Sequence, residues 1–293
     1  MIQWRCLQIF ICSLLFAISA LGMKKEKQVV LFNSATFTEH WNDSFLRSLL
    51  EESLKENFRV DTFELKVPIL TTETEVIDLR KKILHRFPEK PELVVFIGDP
   101  GWLVCSPLFR EEWKGVPVIL CYSREKVPAS VPVLLNRETL NESNSMLIED
   151  YNKDFNLTVL WQPSYIKETV EVMKKIVPGM NRLVFISDDR YISMVTRTEL
   201  ERVMREDFPD IRLSQFCNKS MNTYQLLDSL SECDKNVGVV YYSWFVSHEK
   251  NNETYLENNA WKAIIGFTSS PVFTLTDMDI ENSNFVGGFY IST

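Results

Sequence analysis

The sequence predicts an α/β protein made of two successive open parallel sheets, and three observations carry the prediction. Short apolar runs alternate with longer amphipathic segments, the pattern of strands buried on both faces and joined by crossover helices. The alternation pauses near residues 150–162 and then starts again. Several apolar runs stop abruptly at Gly, Asp, Asn or Ser, as "VVFIGDPGW" does at residues 94–102. Strand ends of that kind are where open α/β sheets hold ligands.

Taken in order, "VVLF" at residues 29–32 is a short buried strand. Asp43 or Ser44 caps a helix whose apolar positions are Phe45, Leu46, Leu49, Leu50 and Leu54. "RVDTFEL" alternates as a second strand. "TETEVIDLRKKILHRF" is an amphipathic helix burying Val76, Leu79, Ile83 and Leu84, and Pro88 ends it. "ELVVFIG" and "VPVILCYS" are strands three and four. The second half repeats the rhythm: helix at 163–179, strand at 181–189, helix at 191–209, strand at 211–216, helix at 223–233 and strand at 237–245. "KAIIGF" and "VGGFYIST" follow as further strands. The boundaries are residues 28–150 for the first lobe and 151–290 for the second.

Formal net charge is -8, and no basic run interleaves with aromatics, which argues against nonspecific nucleic-acid binding. Arg5 precedes an apolar stretch from Cys6 to Gly22, with Ala20-Leu21-Gly22 as a cleavage site. Residues 1–22 therefore read as a secretory signal or an uncleaved anchor, and the remainder lies outside the cytoplasm. Of six cysteines, Cys6 and Cys12 belong to this leader. Two readings stand for the other four. Either Cys105 pairs with Cys121 and Cys217 with Cys233, one disulfide in each half, or all four are buried free thiols.

Catalytic motifs are missing. The first strand is not followed by Gly-x-Gly-x-x-Gly, no lysine follows "GDPGW" as in a P-loop, and no Gly-x-Ser-x-Gly elbow occurs. The histidines are His40, His85 and His248. His85 ends a helix, His248 sits in a polar loop, and His40 reads as a surface or capping residue. We therefore expect a non-enzyme, with no catalytic residue, cofactor or metal. Asp188-Asp189 in "SDDR" could hold magnesium, cap the next helix or hydrogen-bond a ligand. The sequons at Asn42, Asn141, Asn156, Asn218 and Asn252 read as chance in an Asn- and Ser-rich chain.

The residues after each predicted strand are short polar groups and aromatics. The candidate ligand contacts are Asn33, Ser34, Asp99, Trp102, Tyr122, Ser123, Asp188, Tyr241, Trp244 and Ser269. Rings supply apolar area and hydroxyls fix orientation, a set suited to reversible capture of a small molecule.

"LVVFIGDPGW", "NRLVFISDD" and "FVGGFYIS", in this order, resemble type I periplasmic binding proteins of the ABC-transporter substrate-binding-like family. The resemblance covers roughly residues 28–293. It implies two Rossmann-like three-layer (αβα) lobes closing on a small-molecule ligand held in an interdomain cleft. Within that family the chain is similar to the extracytoplasmic sensor region of two-component (hybrid) sensor histidine kinases of Bacteroidetes. That likeness implies a ligand-sensing domain tethered to the inner membrane. It also implies a homodimer, and a cytoplasmic kinase core in the same, longer chain after a transmembrane helix beyond Thr293. The alternative is a soluble substrate-binding protein serving an ABC permease. An exported hydrolase using Asp188 and Asp189, or a lobe kept for protein contacts, ranks behind both.

Overall fold

The computed structural model describes residues 27–35, 40–244, 260–276 and 284–290. The chain divides into two compact units. The first closes at Gln162, and the second takes Arg137–Asn141 together with the chain from Pro163 onward.

The first unit runs β1 (Lys27–Asn33), α1 (His40–Glu56), β2 (Phe58–Glu64), α2 (Glu73–Arg86), β3 (Leu93–Ile97), α3 (Asp99–Cys105), β4 (Val118–Ser123), β5 (Lys126–Pro128), α4 (Val131–Leu135), β6 (Ser145–Leu147) and β7 (Leu157–Trp161). Its main sheet is parallel, in the order β2-β1-β3-β4-β7, and β5 and β6 form a separate antiparallel pair. The sequence reading closed this lobe at residue 150. The unit instead continues, because β7 pairs with β4 from Val118↔Leu157 onward.

Strand alternation splits the core in two. Leu31, Val95, Ile97 and Ile119 meet Phe45 and Leu49 of α1 on one face. On the other, Phe32 and Phe96, 5.1 Å apart, meet Phe87, Trp102, Phe109 and Trp113 at ring separations of 5.8–6.1 Å. Leu50 and Leu54 turn outward from α1, with Leu54 86% exposed. The start of α2 is fixed by a capping box, in which Thr72 accepts from the Glu75 amide while the Glu75 carboxylate accepts from the Thr72 amide.

The second unit runs α5 (Ile166–Ile176), β8 (Arg182–Ser187), α6 (Tyr191–Asp207), β9 (Arg212–Cys217), α7 (Thr223–Ser231), β10 (Val237–Tyr241), α8 (Ala260–Phe267) and β11 (Val272–Thr274). Its sheet is parallel, in the order β11-β10-β8-β9. Leu183, Phe185 and Val240 pack with residues of α5 and α6. Val184, Ile186 and Val239 pack with residues of α7 and α8. "KAIIGF" is not a strand. It lies within α8, which buries Trp261 and Ile264, because a six-residue apolar run suits either element and the neighbouring surface decides. "VGGFYIST" contributes an isolated bridge, Phe273↔Gly287, and its last three residues fall outside the described ones.

Candidate functional site

Strand order reverses between β1 and β3 in the first sheet and between β8 and β10 in the second. The carboxyl ends at those points are the places to look for a ligand.

In the first unit they are bonded mainly to one another. Asn33 is buried and its Oδ1 accepts from the Ala35 amide at 3.0 Å. The Ser34 hydroxyl donates to the Ile97 carbonyl at 2.7 Å, lies 2.9 Å from the Gly98 carbonyl oxygen, and accepts from the Gly101 amide at 2.9 Å. Gly98 has φ +85°, open to glycine at no steric cost. A Cβ at Gly101 would stand 2.7 Å from both Ser34 Oγ and Leu65 Cδ1. Asp99 is 1% exposed, and its Oδ2 accepts from the Arg124 amide at 3.3 Å. Ser123 is fully buried and donates to the Arg124 carbonyl. Tyr122 adopts φ +58° where the β4–β7 register shifts, a conformation a bulky residue takes only under tertiary constraint. Its half-buried ring lies edge-on to Phe45 at 6.3 Å.

Trp102 departs from the sequence reading. It is fully buried and packs on Phe96, Phe109 and Phe155 at 5.8, 5.4 and 5.0 Å, so it offers no open face to a ligand. An indole three residues into α3 points down onto the sheet.

The second unit gathers more charge. Asp188 is fully buried at the end of β8. Its carboxylate accepts from the Arg190 amide and Nε, both at 3.0 Å, and from Ser193 Oγ at 2.7 Å. Because Ser193 spends its one proton on Asp188, the 2.8 Å contact with Ser243 must be a bond donated by Ser243. Arg197 Nη2 donates to Ser187 Oγ, to the Asp188 carbonyl and to Cys217 Sγ at 2.9, 2.9 and 3.1 Å. Asp189 faces outward. Its Oδ2 pairs with Arg137 Nη1 at 2.8 Å and its Oδ1 accepts from Asn218 Nδ2 at 3.4 Å. Cationic and amide donors thus hold both carboxylates of "SDDR". Among the described residues no group of three or more His, Cys, Asp and Glu could hold a metal ion.

Tyr241 is half-buried, its ring 5.5 Å from Phe285. Trp244 is 1% exposed among α7 and α8 residues, with its indole N–H donating to Thr223 Oγ1 at 3.1 Å. It too is core. Ser269 is exposed but precedes β11, and the neighbouring Ser270 hydroxyl donates to the Asp234 carbonyl ahead of β10. That places Ser269 at the amino edge of the sheet, away from Asp188. The reading of "KAIIGF" as a strand had put it at the carboxyl edge.

The proposed disulfides are not formed, and all four cysteines are buried free thiols. Each pair is split by its sheet. Cys121 packs in the Phe45 cluster, whereas Cys105 lies on α3, the helix that buries Trp102 on the opposite face. Cys217 meets Arg197 of α6, whereas Cys233 packs with Phe216 and Leu226. Burial pushes the Cys105 and Cys121 thiols up to about 12.

The sequence reading missed Arg137, Arg190, Ser193 and Asn218, and it left Asp189 and Ser243 out of the contacts. Asn218 directly follows β9 and stands two positions past the end of the predicted strand at 211–216, so the rule used for the other strand ends comes within one residue of it. Arg137 carries no local signal, because it reaches Asp189 across 52 positions. The side chain of His40 and all of His248 lie outside the described structure, as does the leader. Among the described residues no helix is long and apolar enough to cross a membrane.

No family model and no curated protein matches the sequence. Solved structures do match in fold. The ABC domain from Streptococcus pneumoniae in complex with L-Trp is 13% identical with a TM-score of 0.57, over 92% of this chain and 80% of that one. A carbohydrate transporter solute-binding protein from Agrobacterium radiobacter, in complex with D-arabinose, is 11% identical with a TM-score of 0.51, over 87% and 78%. The fructose-binding periplasmic domain of a hybrid two-component system is 12% identical with a TM-score of 0.53, over 86% and 73%. The chain has the α/β fold of type I periplasmic binding proteins.

Proposed function

We propose that this chain is an extracytoplasmic binding protein that captures a small solute for an ABC transporter. The observation that carries the reading is the repeated parallel sheet, in a fold shared with solute-binding proteins, with polar groups at the carboxyl ends of its strands. The apolar leader at Cys6–Gly22 supports export. Of the sequence-derived contacts, Tyr122, Asp188 and Tyr241 remain candidates, and the geometry adds Asp189. Asp188 acts by holding Arg190 and Ser193 in place, while Asp189 and Tyr241 of the second unit meet the solute.

The likeness to the fructose-binding domain favours a second reading, a sensor input domain. In that case the chain is membrane-tethered, dimeric and joined to a cytoplasmic histidine kinase. Ligand would act by binding two conformations with different affinity.

The test is a solute panel of amino acids, pentoses, hexoses and amines, read by thermal shift and titration calorimetry. A solute at 100 times its Kd stabilises by about 2.7 kcal/mol. A panel without a binder would sink the reading. Sequencing the native gene beyond residue 293, with its neighbours, separates the two forms. Adjacent permease genes support the carrier, and a downstream transmembrane helix with a kinase supports the sensor.

A further inference from the structure

We infer that Asp189 and Asn218 form a subsite for a cationic group of the solute, a primary ammonium in the simplest case, and that Arg137 is a tethered cation filling it in this structure. The inference rests on the solute-binding reading and names the chemistry of one part of that site.

The two neighbouring carboxylates differ in what holds them. Asp188 is fully buried, and Arg190 and Ser193 saturate it. Removing those partners would strand a buried charge. Asp189 is open. The Asp189 and Arg137 side chains are 31% and 30% exposed, and their pair measures 2.8 Å. Pairs this exposed contribute little, so their partners exchange readily. Asn218, at the carboxyl end of the neighbouring strand β9, donates to the other Asp189 oxygen at 3.4 Å and keeps the carboxylate aimed outward.

Arg137 is also held under backbone constraint. Its φ is +52°, a left-handed conformation that a non-glycine residue adopts at a cost. Asp189 lies 52 positions away, so the pairing is tertiary. A neutral or anionic solute that displaced Arg137 would leave Asp189 without a cation. A solute ammonium replaces the guanidinium charge for charge. Arg137 then sets a threshold: the solute must outcompete an internal cation.

The experiment titrates the full chain with putrescine, D-arabinose and succinate, in the wild type and in Arg137→Ala, Arg137→Lys and Asp189→Asn. The expected result is that Arg137→Ala binds putrescine about fivefold more tightly, the gain from removing one exposed competing pair. Arg137→Lys stays near wild type, and Asp189→Asn loses putrescine by at least about tenfold. Binding of arabinose or succinate does not gain in Arg137→Ala. A lower melting temperature in Arg137→Ala with unchanged putrescine affinity makes the pair purely structural and overturns the inference. Tighter succinate binding that Arg137→Ala abolishes makes the site anionic and also overturns it. If neutral solutes bind but putrescine affects no variant, the inference falls and the solute-binding reading stands. If the wider panel yields no binder either, both fall.

Discussion

Replacing Ser34 by alanine tests how the carboxyl ends of β1 and β3 are joined to the start of α3. The hydroxyl donates to the Ile97 carbonyl at 2.7 Å and accepts from the Gly101 amide at 2.9 Å, at a site 8% exposed. Gly101 is the third residue of α3, so its amide has no carbonyl four residues back within the helix. Losing the bond to the Ile97 carbonyl at about 1 kcal/mol, and leaving the buried Gly101 amide without an acceptor at about 1–2 kcal/mol, gives a loss of about 2–3 kcal/mol. For a unit of this size that lowers the melting temperature by about 4–12 °C. Hydrogen exchange reads the effect locally, because the Gly101 amide should lose its protection in Ser34→Ala before the strands do. A double mutant adds a second check. Gly101→Ala places a Cβ 2.7 Å from Ser34 Oγ, so it should cost less in the Ser34→Ala background than in the wild type. A loss below about 0.5 kcal/mol, with Gly101 exchange unchanged, would refute the staple.

Gly98→Ala forces φ +85° on an L side chain and should lower stability by about 1–2 kcal/mol in urea denaturation; an unchanged midpoint would contradict the turn geometry. Trp102→Ala should cost about 3–5 kcal/mol as a core truncation, and Trp102→Phe should leave solute affinity unaltered in calorimetry. Weaker solute binding with full stability would place that indole at the site after all. Cys105 and Cys121 should stay unreactive toward a thiol reagent at neutral pH and become reactive on denaturation. A disulfide found by non-reducing peptide mapping would count against the split faces. Their thiols are raised from 9.0 to about 12. The stability they contribute is therefore complete below pH 9 and lost as pH rises toward 12, so urea midpoints should fall across that window.

Much of the architecture was legible because burial writes itself into local pattern. β1, β3, β8 and β10 are apolar on both faces, and the helices between them carry helical periodicity, so the two parallel arrays could be read without coordinates. The polar strand ends were legible for the same reason: a run that stops at Asn33, Gly98 or Ser187 marks the sheet edge. Local pattern fails where two structures share it. "KAIIGF" suits a strand or a buried helix turn, and the surface offered by α7 and β10 decided for α8, which moved Ser269 to the wrong edge. Aromatic identity likewise says nothing about direction. Trp102 and Trp244 follow strand ends as a ligand contact would, yet both point into the core.

The amino-acid sequence by itself determined the fold class, the repeat of the sheet and most of the polar residues at the carboxyl edges. Each follows from local propensity and hydrophobic period, which neighbouring residues suffice to set. The tertiary structure alone decided which of those residues face outward and which neutralise one another. β7 joined the first sheet, the four cysteines stayed free thiols with the members of each candidate pair on opposite faces of their sheet, and Arg137 came to rest on Asp189. These outcomes depend on contacts between residues distant in sequence. Such contacts are selected by the packing of the whole unit and leave no mark on the few residues to either side.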